Sequence, residues 1–506
     1  MDSHARRVGA TLFALVLSIY IFTAGGSLTT TDAVVAFEVT RQLVDHQSVA
    51  LPRDMLGNEA HRGKDGRFYS PFGIAQSVFN VPFFVLGRGA ARVTGLSIGR
   101  ADAIEKAAVA LGNTVAMAAG VWVCFLFARR ITGSTRTAAA CALATAFATP
   151  LWPYSKFGFN APLSLLFVTL AAYCTWSATR SEDPVNPAWI GWWVGLGLLT
   201  RHELPILVIP IAIWLYLESS NVVQFARRLA TALAGIAPAA AAWCALNIYR
   251  FGNALDTGYL RDRVPQFGSS IVTGLYGLLL SPTSSLFVYC PIAIVALAAI
   301  LVLAARDRAA AVLFGGSVLI LLLFYAQLGN WMGGRSYGPR YLVPVIPFLM
   351  LALVTLNRWH LVSSRWEATA MLLISLAVQV PGVVVDYAKV SVAHARAHGA
   401  PTPDDRLFNW RVSPLTLNTA AALELTPRNV GWLLGRGDAP RPVRAVSDRA
   451  QSDFSQQFAD TLDFWWMYLL RMGVASPATV RLLLICLLAG IGALGLRYRR
   501  LMAFAK

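Results

Sequence analysis

Charged residues are scarce in this 506-residue sequence: Asp, Glu, Lys and Arg make up 14% of it, against about 25% in ordinary soluble domains. Apolar residues take their place, with Ala, Val, Ile, Leu, Met, Phe, Trp, Tyr and Cys together at 56% and a mean hydropathy of +0.55. This composition excludes a soluble globular enzyme, a disordered chain and a disulfide-stapled secreted module. The sequence therefore predicts an all-α polytopic membrane protein.

Cysteine pairs and nucleotide-binding motifs are also missing. The six cysteines form no CxxC pair and lie within or at the ends of apolar runs, which is typical of small core residues rather than of a zinc or redox site. The sequence has no GxxxxGKS/T, HExxH or Asp-x-Asp motif. Nucleotide-dependent chemistry therefore has no support in the residues.

Acidic residues are fewer than basic ones: 26 Asp and Glu against 43 Lys and Arg give a net charge of +17. A nucleic-acid-binding protein would gather its basic residues on a soluble face, whereas here they are strung between apolar runs. We therefore expect no nucleic-acid partner. The charge is instead attributed to orientation in the lipid bilayer and to anionic groups at its surface.

Apolar runs of about 17–25 residues can cross a bilayer as helices. The sequence contains about twelve such runs, some of them short. They lie at about 8–26, 104–128, 138–152, 160–178, 187–200, 203–217, 229–248, 285–304, 309–328, 341–356, 367–385 and 479–496.

Arginines at the turns set the predicted orientation. Arg6 and Arg7 place the start of the first helix in the cytoplasm, and alternation then gives every inner turn at least one arginine. We expect a multi-pass protein of the cytoplasmic (inner) membrane with both termini in the cytoplasm. A cleaved signal peptide is the alternative for residues 1–26, but no clear A-x-A site follows the long apolar run, so a retained helix is favoured.

Long polar segments divide the chain. The large outer segments are 27–103, 249–284 and 386–478. The first contains amphipathic stretches at 34–44 and 71–87, which predict helices lying at the membrane interface. The predicted divisions are a transmembrane domain at 1–385 with its first outer loop at 27–103, a small extracytoplasmic segment at 386–478, and a last transmembrane helix with a basic cytoplasmic tail at 479–506.

Asp32 follows the first predicted helix directly, in the run Leu28-Thr-Thr-Thr-Asp32-Ala. A carboxylate just outside the hydrocarbon is partly desolvated and can serve as a general base. The alternative is that Asp32 is only the N-cap of a helix over 33–44.

Arg201 lies in a very short outer turn between two predicted spans, in Leu199-Thr-Arg201-His202-Glu203. An arginine in such a turn can reach into a cavity and bind a phosphate as a fork. The alternatives are a snorkelling side chain or a local ion pair with Glu203.

The stretch 330–341 is the densest outer loop in glycine, arginine and aromatic residues. Its glycines permit a close backbone approach, Arg335 and Arg340 add positive charge, and Trp331, Tyr337 and Tyr341 offer flat faces on which a sugar ring could rest. The alternative is an interfacial aromatic belt with a glycine turn.

Other outer stretches combine aromatic and turn residues, and each would be an ordinary loop if it stood alone. Their candidate binding residues are Tyr69, Trp152, Tyr154, Lys156, Asp256 and Tyr259. In the predicted topology all of these candidates share one membrane face with Asp32 and Arg201. The topology also leaves more basic residues outside than inside, which we explain by an anionic headgroup, most simply a phosphate, bound at the outer face.

Several of these motifs, taken in order, resemble bacterial GT-C fold membrane glycosyltransferases. They are the aspartate after the first helix, Gly66-Arg-Phe-Tyr-Ser-Pro-Phe-Gly leading to Pro82-Phe-Phe-Val-Leu-Gly, Thr149-Pro-Leu-Trp-Pro-Tyr, Arg250-Phe-Gly with Thr257-Gly-Tyr, Leu280-Ser-Pro, and Trp331-x-Gly-Gly-x-Ser-Tyr-Gly-Pro-Arg-Tyr-Leu. The resemblance extends from about residue 8 to 356. It is to the broad group that includes protein O-mannosyltransferases and the aminoarabinose transferases acting on lipid A.

The resemblance implies a polyprenyl-phosphate-linked sugar donor and transfer at the outer face, with Asp32 as the base. Many relatives have Asp-Glu at that position, whereas Ala33 follows here, so a second carboxylate is absent or comes from Glu38 or Asp256. Relatives often have a glutamate near the position of Asn160.

We therefore expect a GT-C-like bundle of about twelve transmembrane helices that acts as an inverting glycosyltransferase on a glycan, lipid or protein hydroxyl. Arg201, Arg335 and Arg340 would stabilise the leaving phosphate, and no metal or other cofactor is expected. The alternatives are a transporter or flippase of lipid-linked sugars, and a non-catalytic subunit of a cell-envelope complex. Transporters favour repeats and charges within the membrane, neither of which this sequence shows.

Overall fold

Helices form nearly all of the regular structure of this protein. The computed structural model describes residues 3–52, 60–95, 98–156, 158–259, 267–355, 365–436 and 460–504. The first helices are α1 (Ser3–Phe22), α2 (Thr31–His46), α3 (Ala75–Val93), α4 (Ile98–Thr132), α5 (Thr135–Phe147), α6 (Leu151–Tyr154), α7 (Ala161–Arg180), α8 (Ala188–Thr200), α9 (Val208–Leu217) and α10 (Val222–Phe251).

The remaining helices alternate with short loops. They are α11 (Ile271–Leu279), α12 (Leu286–Tyr289), α13 (Ile292–Arg306), α14 (Arg308–Ala311), α15 (Ser317–Ala326), α16 (Ile346–Thr355), α17 (Arg365–Val384), α18 (Tyr387–His398), α19 (Pro403–Phe408), α20 (Pro414–Leu433), α21 (Trp465–Arg471) and α22 (Pro477–Ala503). Tighter 3₁₀ turns precede α9 at Leu204–Leu207, α16 at Arg340–Val345 and α20 at Trp410–Val412.

Each of the twelve predicted runs coincides with a helix, and the prediction of an all-α membrane protein is confirmed. The count of twelve spans is not confirmed. Within the described ranges six helices are long and apolar enough to cross a membrane, or seven if α17 and α18, bent by 71° at their junction, form one broken span. Several others are too short: α8 has 13 residues, or about 20 Å at 1.5 Å per residue, against a hydrocarbon layer of about 30 Å.

A cluster of charged side chains marks one end of the bundle. At one end Arg180, which ends α7, pairs with Glu218 at 2.6 Å and with Asp307 at 2.5 Å. These three residues stand at turns that the sequence assigns to a single membrane face. The loops after α1, α6, α8 and α15, all assigned to the opposite face, also come together.

The predicted first outer loop, residues 27–103, contains the two amphipathic helices that the sequence predicts. Helix α2 covers 34–44, and α3 covers most of 71–87, with exposed apolar side chains such as Val78 and Leu86. The loop also contains a small antiparallel sheet that composition does not reveal, in the order β1 (Ala50–Leu51), β3 (Phe68–Tyr69), β2 (His61–Arg62). Placement of α2 and α3 at a membrane interface stays a prediction.

The segment 386–478 packs against the helical bundle. Helices α18, α19, α20 and α21 lie within it, while residues 437–459 fall outside the described part of the chain. Buried Trp432 and Met467 share an apolar cluster with Phe22 at the end of α1 and with Trp152 in α6. The segment therefore completes the core at this end of the bundle.

Candidate active site

Asp32 lies in the first turn of α2 but does not cap it. The N-cap is Thr30, whose hydroxyl accepts a hydrogen bond from the Ala33 backbone N–H. The interpretation of Asp32 as a mere cap is therefore wrong. Its carboxylate instead accepts a short hydrogen bond from Arg340, a residue 308 positions further along the chain.

Arg340 is buried where the glycine-rich loop 327–339 turns into α16. One guanidinium nitrogen donates to Asp32 and the other donates to the backbone carbonyl of Gly333 at 2.9 Å. The Gly333 backbone has a φ of +72°, which a residue with a Cβ rarely adopts. The guanidinium also lies 5.2 Å from the centre of the Phe159 ring. Arg340 is thus held in one orientation, facing Asp32.

Arg201 directly follows α8 and lies in the short non-helical turn before the 3₁₀ turn that leads into α9. Its Nε donates to the Asn160 side-chain oxygen at 2.9 Å, and Nη1 donates to the Tyr325 hydroxyl at 3.3 Å. The side chain is 6% exposed. In the described part of the chain no carboxylate oxygen lies within 4 Å of this guanidinium. Among the described residues Arg201 is therefore a buried cation without a direct ion pair, a costly arrangement unless an anion joins it.

The predicted alternative of a direct pair between Arg201 and Glu203 is not seen. The Tyr325 hydroxyl lies between the two side chains and donates to Glu203 at 2.7 Å. Glu203 is half-buried. The snorkelling alternative does not fit either, because the guanidinium is directed into the protein, towards Asn160 and Tyr325.

Two tyrosines join the arginines into one site. The Tyr325 and Tyr341 rings stack with centroids 4.5 Å apart and planes within 8°, and Arg201 lies 5.8 Å from the Tyr341 ring centre. The Tyr341 hydroxyl is within electrostatic range of Asp32, Arg201 and Arg340. The charges of the same two arginines reach the Tyr154 hydroxyl. The site residues are Asp32, Tyr154, Phe159, Asn160, Arg201, Glu203, Tyr325, Arg340 and Tyr341.

Close packing at Gly158 brings the α6–α7 turn against the start of α2. A Cβ at this glycine would lie 2.5 Å from the Leu28 side chain and 3.1 Å from the Ala33 Cβ. Gly158 therefore lets Phe159 and Asn160 approach the segment that contains Asp32.

Some residues predicted for substrate binding have other partners. Lys156 is buried and pairs with Asp463 at 2.6 Å, and the Trp152 indole N–H donates to the Thr23 hydroxyl at 3.1 Å. Lys156 thereby connects the α6–α7 turn to the segment 386–478, and Trp152 connects α6 to the residue that follows α1.

Tyr69, Asp256 and Tyr259 lie around the small sheet and the end of α10. The Tyr69 hydroxyl donates to Asp65 at 2.8 Å, and this bond together with Arg67 lowers the pKa of Asp65 to about 2. Asp256 accepts a hydrogen bond from the Gly258 backbone N–H at 2.9 Å. The Tyr259 ring stands edge-on to His202, with centroids 6.0 Å apart. These contacts organise the small sheet and the loop that follows α10.

The predicted residues in the glycine-rich loop separate into buried and exposed ones. Trp331 is buried against Gly277, and the buried Tyr337 donates to the Val378 carbonyl at 2.6 Å. Arg335 is exposed, with its charge near the Tyr387 hydroxyl. Arg340 is thus the arginine of this loop that the structure joins to Asp32.

The two candidates for a second carboxylate are occupied in other networks. Glu38 is buried and pairs with Arg41 at 3.2 Å, which in turn contacts Asp102, while Asp256 forms the turn described above. Glu203 is the further acidic residue that the structure brings towards the site. In the described ranges, no group of three or more His, Cys, Asp and Glu residues is arranged to hold a metal ion.

Sequence reasoning missed Asn160, Tyr325 and Phe159 as site residues. Tyr341 was already a candidate for the sugar-binding surface, and Asn160, which opens α7, could have been found as a polar neighbour of predicted residues. Tyr325 lies near the end of an apolar helix, and nothing in its local sequence distinguishes it from a core residue.

Comparison with known proteins identifies the fold. Residues 101–244 match the family of dolichyl-phosphate-mannose-protein mannosyltransferases. The crystal structure of ArnT from Cupriavidus metallidurans in the apo state superimposes with a TM-score of 0.52 at 16% identity, covering 94% of this chain and 77% of that one. The chain has the GT-C fold. The resemblance drawn from the sequence is thereby confirmed at the level of the fold.

Other GT-C structures are similar to this GT-C protein. ArnT from the same organism bound to undecaprenyl phosphate gives a TM-score of 0.50 at 16% identity, over 93% of this chain and 77% of that one. The archaeal oligosaccharyltransferase AglB from Archaeoglobus fulgidus gives 0.42 at 12% identity, over 92% and 63%. No protein with a curated description matches this chain in sequence.

Proposed function

We propose that this GT-C protein is an inverting glycosyltransferase that moves a sugar from a polyprenyl-phosphate donor to a hydroxyl group of a glycan, lipid or protein acceptor. We place the reaction at the outer face of the cytoplasmic membrane. The observation that carries the proposal is the ion pair of Asp32 with Arg340 next to Arg201, whose buried guanidinium has no carboxylate within 4 Å in the described residues.

A phosphate-bearing donor fits the unpaired charge of Arg201. A phosphate oxygen would supply the anion that this guanidinium lacks in the described part of the chain, in a charge-assisted hydrogen bond. Two comparisons support this donor class: the ArnT structure holds undecaprenyl phosphate, and the family matched at 101–244 is named for dolichyl-phosphate mannose. The apolar chain of such a donor would lie in the bilayer beside the helices.

Asp32 is proposed as the general base. The acceptor oxygen attacks the anomeric carbon, the bond from that carbon to the phosphate oxygen breaks, and the acceptor proton passes to the Asp32 carboxylate. The products are a glycoside of inverted configuration and polyprenyl phosphate. Because the leaving group is already a phosphate, no acid is needed to protonate it when cations stabilise its charge.

Arg340 connects the base with the leaving group in this mechanism. Its contact with Asp32 fixes the direction of the carboxylate, while the Gly333 carbonyl holds the guanidinium from the other side. Arg201, with fewer partners, is the main phosphate ligand in the proposal, and Arg340 adds charge nearby.

Aromatic rings form the walls of the proposed sugar site. The stacked pair Tyr325 and Tyr341 presents a flat surface beside Arg201, and Tyr154 closes the site near Arg340. We keep exposed Arg335 as a candidate contact for the substrate at the rim. Trp152, Lys156, Tyr69, Asp256, Tyr259, Trp331 and Tyr337 are proposed to support the site through the contacts described above. No metal ion is required for the proposed chemistry.

A transfer assay on the purified protein tests the proposal. The protein in lipid nanodiscs is given synthetic polyprenyl-phosphate sugars and membrane-extracted acceptors, and the released polyprenyl phosphate and the anomeric configuration of the product are measured. Transfer with inversion is expected. Movement of a labelled lipid-linked sugar across proteoliposomes without transfer would instead show a flippase. Transfer that requires a copurified protein and survives loss of Asp32 would show a non-catalytic subunit.

A further inference from the structure

A second group of buried charged side chains lies beside the candidate site. None of these side chains takes part in the proposed chemistry. Asp463, in the outer segment, pairs with Lys156 at 2.6 Å and lies 3.7 Å from the ammonium of Lys389. Lys389 contacts the Tyr468 hydroxyl, which donates to Asp463 at 2.6 Å. Although burial acts to raise it, the two ammonium groups lower the pKa of Asp463 to about 2. These side chains therefore form one buried, charged cluster.

Through Asp386, this charged cluster is connected to the loop that precedes Asp32. One carboxylate oxygen of Asp386 caps α18 by accepting from the Lys389 backbone N–H at 3.1 Å. The other accepts a hydrogen bond of 2.6 Å from the Thr29 hydroxyl. Thr29 stands three residues before Asp32 and directly before Thr30, the N-cap of α2.

Helix α21 holds the same loop from its other side. The Trp465 backbone N–H donates to the Ala24 carbonyl at 2.9 Å, and the indoles of Trp465 and Trp466 donate to the carbonyls of Ile21 and Phe22 at 2.8 and 2.9 Å. Gly26 lies against Tyr468, since a Cβ there would be 2.1 Å from the ring. Residues of the outer segment thus hold the end of α1 and the loop 23–29 through hydrogen bonds and close packing.

Lys156 ties this arrangement to the other wall of the site. It stands between Tyr154 and Asn160, and besides Asp463 its ammonium donates to the Val383 carbonyl at 2.5 Å. The site residues at 154–160 and the loop before Asp32 are therefore fastened to the same point, residues 383–389 and 463–468.

This group of buried charges carries a free-energy cost, because desolvating charges opposes folding even when they are paired. The charges lie where α1, the α6–α7 turn and the outer segment meet, so we expect that they hold these parts of the protein in place. A reacting group displaced by about 1 Å can cost two orders of magnitude in rate. The loop held here delivers the proposed base.

We infer that Thr29 and Asp386 are positioning residues, through which the outer segment 386–478 sets the place of Asp32. The inference rests on the proposed function and gives the outer segment a role in it. Neither residue touches the reacting atoms; they act by fixing the start of α2. The segment is thereby part of the catalytic unit and not a separate module.

Thr29→Val tests the inference with little risk to folding, since valine keeps the shape of threonine and removes only the hydroxyl. We expect kcat to fall between about tenfold and a hundredfold with the donor KM within twofold of wild type. Thr29→Ser keeps the hydroxyl and should retain most of kcat. Hydrogen–deuterium exchange of the amides at 31–37, which needs no substrate, should be faster in Thr29→Val than in Thr29→Ser.

Asp460→Asn is the matched control. Asp460 belongs to the same segment and pairs with Arg471 at 3.1 Å, away from the loop 23–29, so kcat and exchange at 31–37 should stay at wild-type values. Wild-type kcat in Thr29→Val, or equal losses in Thr29→Val and Asp460→Asn, would overturn the inference. A wild-type protein that transfers no sugar would instead refute the proposed function, and the exchange comparison would still decide whether Thr29 fixes α2.

Discussion

Replacement of Asp32 by asparagine separates the proposed base from its structural contacts. Asparagine keeps the size of the side chain and an oxygen for the Arg340 hydrogen bond, and Thr30, not residue 32, caps α2. The helix should therefore form as before. What is lost is the negative charge and the ability to accept a proton at the reacting oxygen.

The magnitude differs between turnover and stability. Loss of a general base typically lowers turnover by about 10²- to 10⁴-fold, or about 3–5 kcal/mol in the barrier, and the loss should appear in kcat because the proton moves only in the transition state. The ion pair is mostly buried, with side chains 19% and 9% exposed, so breaking it should cost about 2 kcal/mol, between the values for exposed and fully buried pairs.

The stability loss should depend on the ligand. In Asp32→Asn without donor, Arg340 faces a neutral amide, and a lower thermal unfolding midpoint is expected. Added polyprenyl phosphate brings the missing anion, so it should raise the midpoint of Asp32→Asn more than that of wild type. Glu38→Gln, a charge loss on the same helix within the Arg41 network, is the control and should keep its turnover. A well-folded Asp32→Asn protein with wild-type kcat would refute the assignment.

Further predictions follow from the same contacts. Arg201→Ala should weaken donor binding by about tenfold to a hundredfold, the worth of one charge-assisted bond, and Arg201→Lys should restore it only in part; calorimetric titration with polyprenyl phosphate measures both, and unchanged affinity would contradict the phosphate site. Transfer should survive EDTA, and a loss that added Mg²⁺ or Mn²⁺ restores would contradict metal-free chemistry. A cysteine at exposed Thr402 should label with an impermeant reagent from outside and one at Glu182 should not; the reverse pattern would contradict the topology. Because the folded pKa of Asp463 is lowered to about 2, its contribution to stability should be full above about pH 4 and fall as the pH drops towards 2; unfolding midpoints of wild type and Asp463→Asn across this range should converge, and a constant difference would contradict it.

The sequence predicts the helical architecture well because an apolar run is a local property. All twelve runs are helices, and the arginine pattern correctly groups Arg180 with the turns at Glu218 and Asp307. The predicted number of full spans is not confirmed, because hydropathy does not register where a helix stops. Arg201 and the 3₁₀ turn at Leu204–Leu207 interrupt one apolar stretch and leave α8 and α9 too short to cross alone.

The site was only partly predictable, since its key contacts join residues far apart in the chain. Asp32 and Arg340 were both candidates, but no local pattern indicates that they pair. Lys156 was assigned to substrate because it lies among aromatic residues in an outer turn. Its partner Asp463 is 307 residues away, beyond the part of the chain covered by the resemblance, so the structural role of Lys156 could not be inferred.

The arrangement of charges explains how the proposed base and the proposed phosphate ligand can lie in one site without neutralising each other. Arg340 already has a carboxylate and a carbonyl as partners, whereas Arg201 is held by the uncharged Asn160 and Tyr325 side chains. Of the two guanidinium groups, an incoming phosphate therefore gains more from Arg201, which keeps Asp32 paired and ready until the donor is in place. In the proposed reaction, negative charge grows on the phosphate as its bond to the anomeric carbon breaks, and the positive charge of Arg340 then adds to that of Arg201 in stabilising it.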